Sequence, residues 1–101
     1  MIGWGGWSAS TGYVDTGGVY DPVLDVWSSS TEADAASPRS LHTAVWTGSR
    51  MIVWGGQDAS GPIATGGAYD PVSDAWTPTG ATGAPPGRWS HSAVWTGNRM
   101  I

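Results

Sequence analysis

Two histidines and two arginines recur at one spacing, and they have the most chemistry to offer. His42 and His91 stand 49 residues apart, as do Arg39 and Arg88. Imidazole is a common metal ligand, so histidines recurring in this way could hold a metal. No neighbouring carboxylate or cysteine within the same stretch supplies a second ligand, however, and structural hydrogen bonding is the better reading. A guanidinium fork at Arg39 or Arg88 could clamp a carboxylate ligand; burial against an Asp side chain or loop carbonyls is preferred. Two further acidic motifs, Asp21-Pro22-Val23-Leu24-Asp25 and Asp70-Pro71-Val72-Ser73-Asp74, could suggest calcium loops. They lack the alternating oxygen ligands and terminal glutamate of a twelve-residue site, and Asp followed by Pro suits a type I turn.

Aromatic side chains are the other candidates. Trp4, Trp27, Trp46, Trp54, Trp76 and Trp95 recur at equivalent places and read as packing. Trp7, Tyr13 and Trp89 have no aromatic counterpart, Ser40 standing opposite Trp89. Unshared aromatics in connections could stack on a sugar or a peptide, against the plainer reading of a small core within the loops. Catalysis finds little support: no Gly-x-Ser-x-Gly elbow occurs and neither histidine sits in a recognisable triad. Without cysteine, thiolate metal sites, disulfides and a cysteine nucleophile are excluded.

Charge narrows the partners. The 101 residues carry four arginines, no lysine and eight acidic residues, for a net charge of −4. A phosphate backbone needs clustered basic residues for counterion release, so nucleic acid is not an expected partner. No apolar run approaches the roughly 20 residues that span a bilayer, and no basic-then-apolar leader opens the chain, so a soluble protein is expected. No cofactor is implied, and the compartment stays open.

Eight tryptophans without phenylalanine, together with sixteen glycines, depart far from average usage. Glycine at that density disfavours helix, whereas tryptophan, valine, isoleucine and tyrosine suit a pleated surface, so an all-β chain is predicted. The fullest stretch runs from His42 to Gly56, two apolar runs about Gly48-Ser49, which reads as a hairpin with glycine in the first turn position. Its second half reappears at 1–6 and its first half at 91–101. Residues 39–52 match 88–101 at ten of fourteen positions, and 16–27 match 65–76 at nine of twelve, both at an offset of 49. Residues 1–6 match 51–56 at five of six with an offset of 50, the one-residue difference falling in a loop, as stacked repeats tolerate. The unit is expected to hold four strands: 41–47 or 90–96, 1–6 or 51–56, 17–21 or 66–70, and 25–28 or 74–77. Residues 7–15 read as a loop, and 29–38 as a connection with at most a helical turn near 32–36. The first two strands of each unit are apolar on both faces, which calls for a sheet covered on both sides.

The run Arg39-x-x-His42-Thr43-Ala44-Val45-Trp46-Thr47-Gly48-x-Arg50-Met51-Ile52-Val53-Trp54-Gly55-Gly56, followed by Thr65-Gly66-Gly67-x-Tyr69-Asp70-Pro71-x-x-Asp74-x-Trp76, resembles the kelch repeat, particularly its bacterial forms. The resemblance covers essentially the whole chain and recurs in both copies; Gly3 departs from it where Val53 is the apolar equivalent. It implies the four-stranded blades of a β-propeller, with the strand that begins at His42 or His91 lining a central channel. Some kelch enzymes are copper radical oxidases, which need a cysteine crosslinked to tyrosine and are excluded here. The expected division is a first blade at 1–38, a second at 39–87, and residues 88–101 as the start of a next blade.

Strand parity gives geography. Short turns at 48–49, 97–98, 21–25 and 70–74 share one end, and the connections 7–15, 28–38, 57–65 and 77–89 share the other, which is the expected binding face. Trp7, Tyr13, Arg39, His42, Arg88, Trp89 and His91 are the residues expected to contribute to any ligand site. The sequence reads as beginning and ending inside a repeat. The functional expectation is therefore a non-catalytic scaffold or binding module that closes into a ring with copies of itself by exchanging 88–101, a homotrimer of six blades before a homotetramer of eight. The rival expectation is a fragment of a larger kelch enzyme or lectin acting on carbohydrate through the long-loop face.

Overall fold

The hairpin about Gly48-Ser49 forms because Gly48 takes φ 103°, a conformation with no side-chain penalty for glycine. The Thr47 N–H donates to the Arg50 carbonyl (2.9 Å), and the Thr47 hydroxyl accepts from the Arg50 N–H (3.0 Å). The computed structural model describes residues 1–101. In chain order its strands are β1 (Ile2–Ser8), β2 (Gly12–Asp21), β3 (Val26–Ser29), β4 (Thr43–Trp46), β5 (Met51–Trp54), β6 (Gln57–Asp58), β7 (Gly61–Pro62), β8 (Gly66–Asp70) and β9 (Ala75–Pro78). The chain is all-β. One antiparallel sheet has the order β1-β2-β3, the other β4-β5-β8-β9, and β6-β7 is a small separate hairpin.

Both sheets turn their last corner in the same way. Asp21 Oδ1 accepts from the Val23 N–H and Asp70 Oδ1 from the Val72 N–H, each at 2.9 Å, so the carboxylates serve the turns. Asp25 and Asp74 close these turns at φ 54° and 51°.

The sheets pack face to face. Cross-strand partners share a face, so Met51 and Val53 of β5 stand with Tyr69 of β8 and Trp76 of β9. These four and Ala36 form the buried core, against which Ile2, Trp4 and Val19 of the first sheet pack. Burying each large apolar side chain stabilises the joint by about 1.5–3 kcal/mol. Residues 30–39 run between the sheets and lend Ala36 to that core. Their only local element is a turn in which the Ala35 N–H donates to the Glu32 carbonyl at 3.2 Å, not a helix.

Three expectations are corrected. Residues 7–15 are not a loop: β1 and β2 continue past a register shift between Trp4 and Gly6, pairing Trp7 with Tyr13 and Ser8 with Gly12. The shift absorbs the glycine pair that the sequence suggested would end the strand. Residues 57–65 likewise hold the β6-β7 hairpin. Residues 90–96 form no full strand; the Val94 and Ile101 backbones exchange hydrogen bonds at 2.9 Å each way, and Trp95 bridges Met100. That is the register of Val45 with Ile52 and Trp46 with Met51, one unit earlier.

Candidate functional site

Most of the chemistry-bearing residues gather where one unit meets the next. Arg39, 1% exposed, sits at the start of the second unit. Its Nε donates to the Ser37 carbonyl (3.0 Å), one terminal nitrogen to the carbonyls of Gly55 (3.0 Å) and Thr65 (2.6 Å), and the other to the hydroxyls of Ser37 (2.9 Å) and Thr65 (3.0 Å). A guanidinium has five N–H donors, and all are taken. Arg39 thus clamps loop carbonyls, together with a serine and a threonine hydroxyl; the Asp side chain that the sequence offered as the other partner makes no hydrogen bond to it. Burial lowers its pKa, against an opposing pull from the Asp58 charge.

His42 follows from the same segment and turns back onto the first sheet. Its ring meets the Trp4 indole edge-on at 5.2 Å, and a Cβ on Gly5 would lie 2.8 Å from the imidazole Cε1. Gly5 has φ 71°, so both conformation and space demand glycine there. The Gly6 N–H donates to the Arg39 carbonyl at 2.8 Å and completes the joint. Burial, then the charges of Arg39 and His91, hold His42 below the usual imidazole range.

The second joint repeats the first. His91 meets Trp54 edge-on at 5.5 Å, a Cβ on Gly55 would lie 2.5 Å from the His91 Cε1, and the Gly56 N–H donates to the Arg88 carbonyl at 2.8 Å. His91 Nε2 also pairs with the Thr43 hydroxyl at 3.0 Å. Both histidines pack on the preceding Trp-Gly step. No three His, Cys, Asp or Glu side chains come together as a metal-holding group. Arg88 differs from Arg39, being exposed with one hydrogen bond, from Nε to the Pro86 carbonyl at 3.1 Å. Together with His91, Ile52 and Trp54 it lines a groove of about 1060 Å³ on the open face of the second sheet.

No family model matches the chain, and no curated protein matches it either.

The unshared aromatics divide. Trp7 and Tyr13 are opposite partners on one face of the β1-β2 hairpin, with Trp7 61% exposed. Trp89 is also exposed, but in the segment after the second sheet, apart from that pair in the ladder.

Sequence reasoning missed a third set. Tyr69 donates its hydroxyl to Asp74 Oδ1 at 2.6 Å, the Trp76 indole N–H donates to the Thr31 carbonyl at 3.1 Å, and the Thr31 N–H donates to Asp74 Oδ1 at 2.9 Å. These bonds tie the first unit's exit segment to the second sheet. Burial and the Asp74 hydrogen bond push the Tyr69 pKa up to about 12, while the Tyr69 hydroxyl and then the Thr31 N–H hold Asp74 low. The signal was the spacing: Tyr followed by Asp at five and Trp at seven residues occurs in both units.

Proposed function

We propose that the two sheets are kelch-type propeller blades and that the chain is a non-catalytic scaffold or binding module completed by copies of itself. The observation that carries this reading is the repetition of the joint. Trp4 with His42 and Gly6 with Arg39 in one place correspond to Trp54 with His91 and Gly56 with Arg88 in the next. A contact that recurs from one unit to the next is that of an array, and such an array closes as a ring or extends as a filament. Only 11 of 101 residues are buried, which leaves the outward sheet faces in need of cover. A ring of three chains gives six blades, common in the kelch family, and four chains give eight.

Light scattering after size exclusion tests the assembly. The expected mass is three times the 10.4 kDa of one chain, with four times second. A folded monomer that melts cooperatively overturns the reading.

Trp7 and Tyr13, paired on an accessible hairpin face, support a carbohydrate or peptide as ligand. Screening both classes against the wild type and Trp7→Ala tests that surface. Turnover of a hit, lost in His42→Ala plus His91→Ala with folding intact, would replace the scaffold with an enzyme.

A further inference from the structure

The face of the first sheet that points away from the second carries an unfilled copy of the Tyr69–Asp74–Trp76 arrangement. Tyr20 and Trp27 are opposite partners with ring centroids 5.1 Å apart, against 5.2 Å for Tyr69 and Trp76. The Tyr20 hydroxyl donates to Asp25 Oδ1 at 2.6 Å, as Tyr69 does to Asp74. The template is therefore prebuilt. What differs is cover: Trp76 is 4% exposed beneath the first sheet and donates to the Thr31 carbonyl, whereas Trp27 is 57% exposed.

At the other end of the chain the donor side is equally open. Gly80 stands 49 residues after Thr31 and Arg88 49 after Arg39. Thr31 engages Asp74 and Trp76 through its backbone N–H and C=O alone, so glycine can replace it without loss of either bond. Arg39 spends all five donors on residues 37, 55 and 65, whereas the Arg88 guanidinium spends one. The counterparts of Gly55 and Thr65 in the first unit are Gly5 and Thr16.

We infer that a second copy of this chain docks its first sheet on the open face of the second sheet, with Gly80 latched onto Asp25 and Trp27 of that copy and Arg88 reaching its Gly5 and Thr16. This rests on the reading of the chain as a self-assembling array, and it names the atoms that join the copies. The occupant is a second copy because the internal joint is the template for both halves of the contact. The Tyr69, Asp74 and Trp76 groups that receive the first unit have their counterparts, already preorganised, in Tyr20, Asp25 and Trp27 of the first sheet, with Gly3 standing where Val53 does. Ile52 and Trp54, which line the groove, are the counterparts of Ile2 and Trp4, which pack the internal joint. Docking opens the Val94–Ile101 backbone pair, so that Met1 and Ile2 of the incoming copy take the place of the identical Met100 and Ile101.

The absence of cysteine makes a clean test possible. Single variants Leu24→Cys, beside Asp25 and 68% exposed, and Gly80→Cys of the full chain are mixed, allowed to exchange and treated with a short bismaleimide. Crosslinked dimers are expected in the mixture and not in either variant alone. Trp27→Phe keeps the ring but removes the indole N–H, and Arg88→Ala removes the guanidinium; each is expected to weaken association about tenfold by sedimentation. Trp76→Phe, the same change inside the chain, is expected to lower the melting temperature instead. A chain that assembles without the mixture-specific crosslink, and whose assembly ignores Trp27→Phe and Arg88→Ala, overturns this contact and leaves the array standing. A chain that stays monomeric at every concentration overturns both.

Discussion

The imidazole of His42 meets the indole of Trp4 edge-on, with ring centroids 5.2 Å apart and planes at 73°. The ring is part of the packing between units, so a proton on it must be carried in a partly desolvated place beside the Arg39 charge, with His91 adding to the opposition. Its folded pKa is lowered, which means that the unfolded chain binds the proton more readily. The contribution of His42 to stability is complete above about pH 6.5 and is lost as the pH falls from there through the depressed folded value. Melting temperatures measured from pH 7 to pH 5 are expected to decline, and His42→Gln to flatten the decline. An unchanged slope in that variant would assign the dependence elsewhere. The depressed carboxylates Asp70 and Asp74 titrate in a separate window, below about pH 4.

Arg39 and Arg88 occupy equivalent places in sequence and opposite situations in space. Arg39→Lys keeps the charge but not the fork, and is expected to cost roughly 2–4 kcal/mol in denaturant unfolding, because the buried Gly55 carbonyl loses its donor and the Thr65 carbonyl and both hydroxyls lose theirs from the guanidinium, the Thr65 carbonyl keeping only the Gly55 N–H. Arg88→Lys in the dissociated chain is expected to change stability by less than about 0.5 kcal/mol. Equal effects would mean that the buried clamp is not what orders the second unit.

Tyr69 and Tyr20 make the same hydrogen bond, one beneath a sheet and one in the open. Tyr69→Phe is expected to destabilise by about 1 kcal/mol, since a tyrosine only 1% exposed loses its hydrogen bond to Asp74. Tyr20→Phe is expected to leave the isolated chain nearly unchanged. With the Tyr69 pKa at about 12, the folded chain holds a proton that the unfolded chain releases near pH 10. Stability from this residue is therefore present below pH 10 and lost as the pH rises towards 12. Ultraviolet titration of the phenolates should show one tyrosine ionising with that late midpoint.

Gly3 stands where the second unit has the fully buried Val53, yet a Cβ added at Gly3 would meet nothing within 4 Å. Gly3→Val should raise stability by about 0.5–1 kcal/mol through reduced chain freedom and better strand propensity. Gly55→Ala is the opposite case, because φ is 71° and the new atom would strike the His91 ring and the Arg88 carbonyl. It is expected to cost more than about 2 kcal/mol, read from the thermal midpoint.

Much of the sheet structure was legible because it is written twice. The hairpin at 43–54 and the strands at 66–70 and 75–78 carry β-branched and aromatic residues bounded by glycine and Asp-Pro turns, so pattern and turn chemistry agree. The β1-β2 extension was not legible, because Gly5-Gly6 and the polar residues after Trp7 look like a stop, and only the register shift shows that the ladder resumes. The clamp at Arg39 was half legible: loop carbonyls were anticipated, but not the exhaustion of every donor. Nor could one-dimensional spacing reveal that His42 leans on Trp4, because that contact crosses from one unit to the one before. The polar tie through Thr31 was hidden for a related reason, since it uses main-chain atoms that leave no mark in side-chain identity.

That main-chain tie has a consequence for how such a chain could have arisen. Because the Thr31 N–H and C=O and the carbonyls of Arg39 and Arg88 make the polar ties of the joint, those ties hardly register which side chain stands at these three positions. A duplicated gene segment would inherit those main-chain ties, and the residues that make them could then drift apart while the ties kept their fit. The divergence of Thr31 and Gly80 beside the retained Trp27 and Trp76 is what such a history would leave behind.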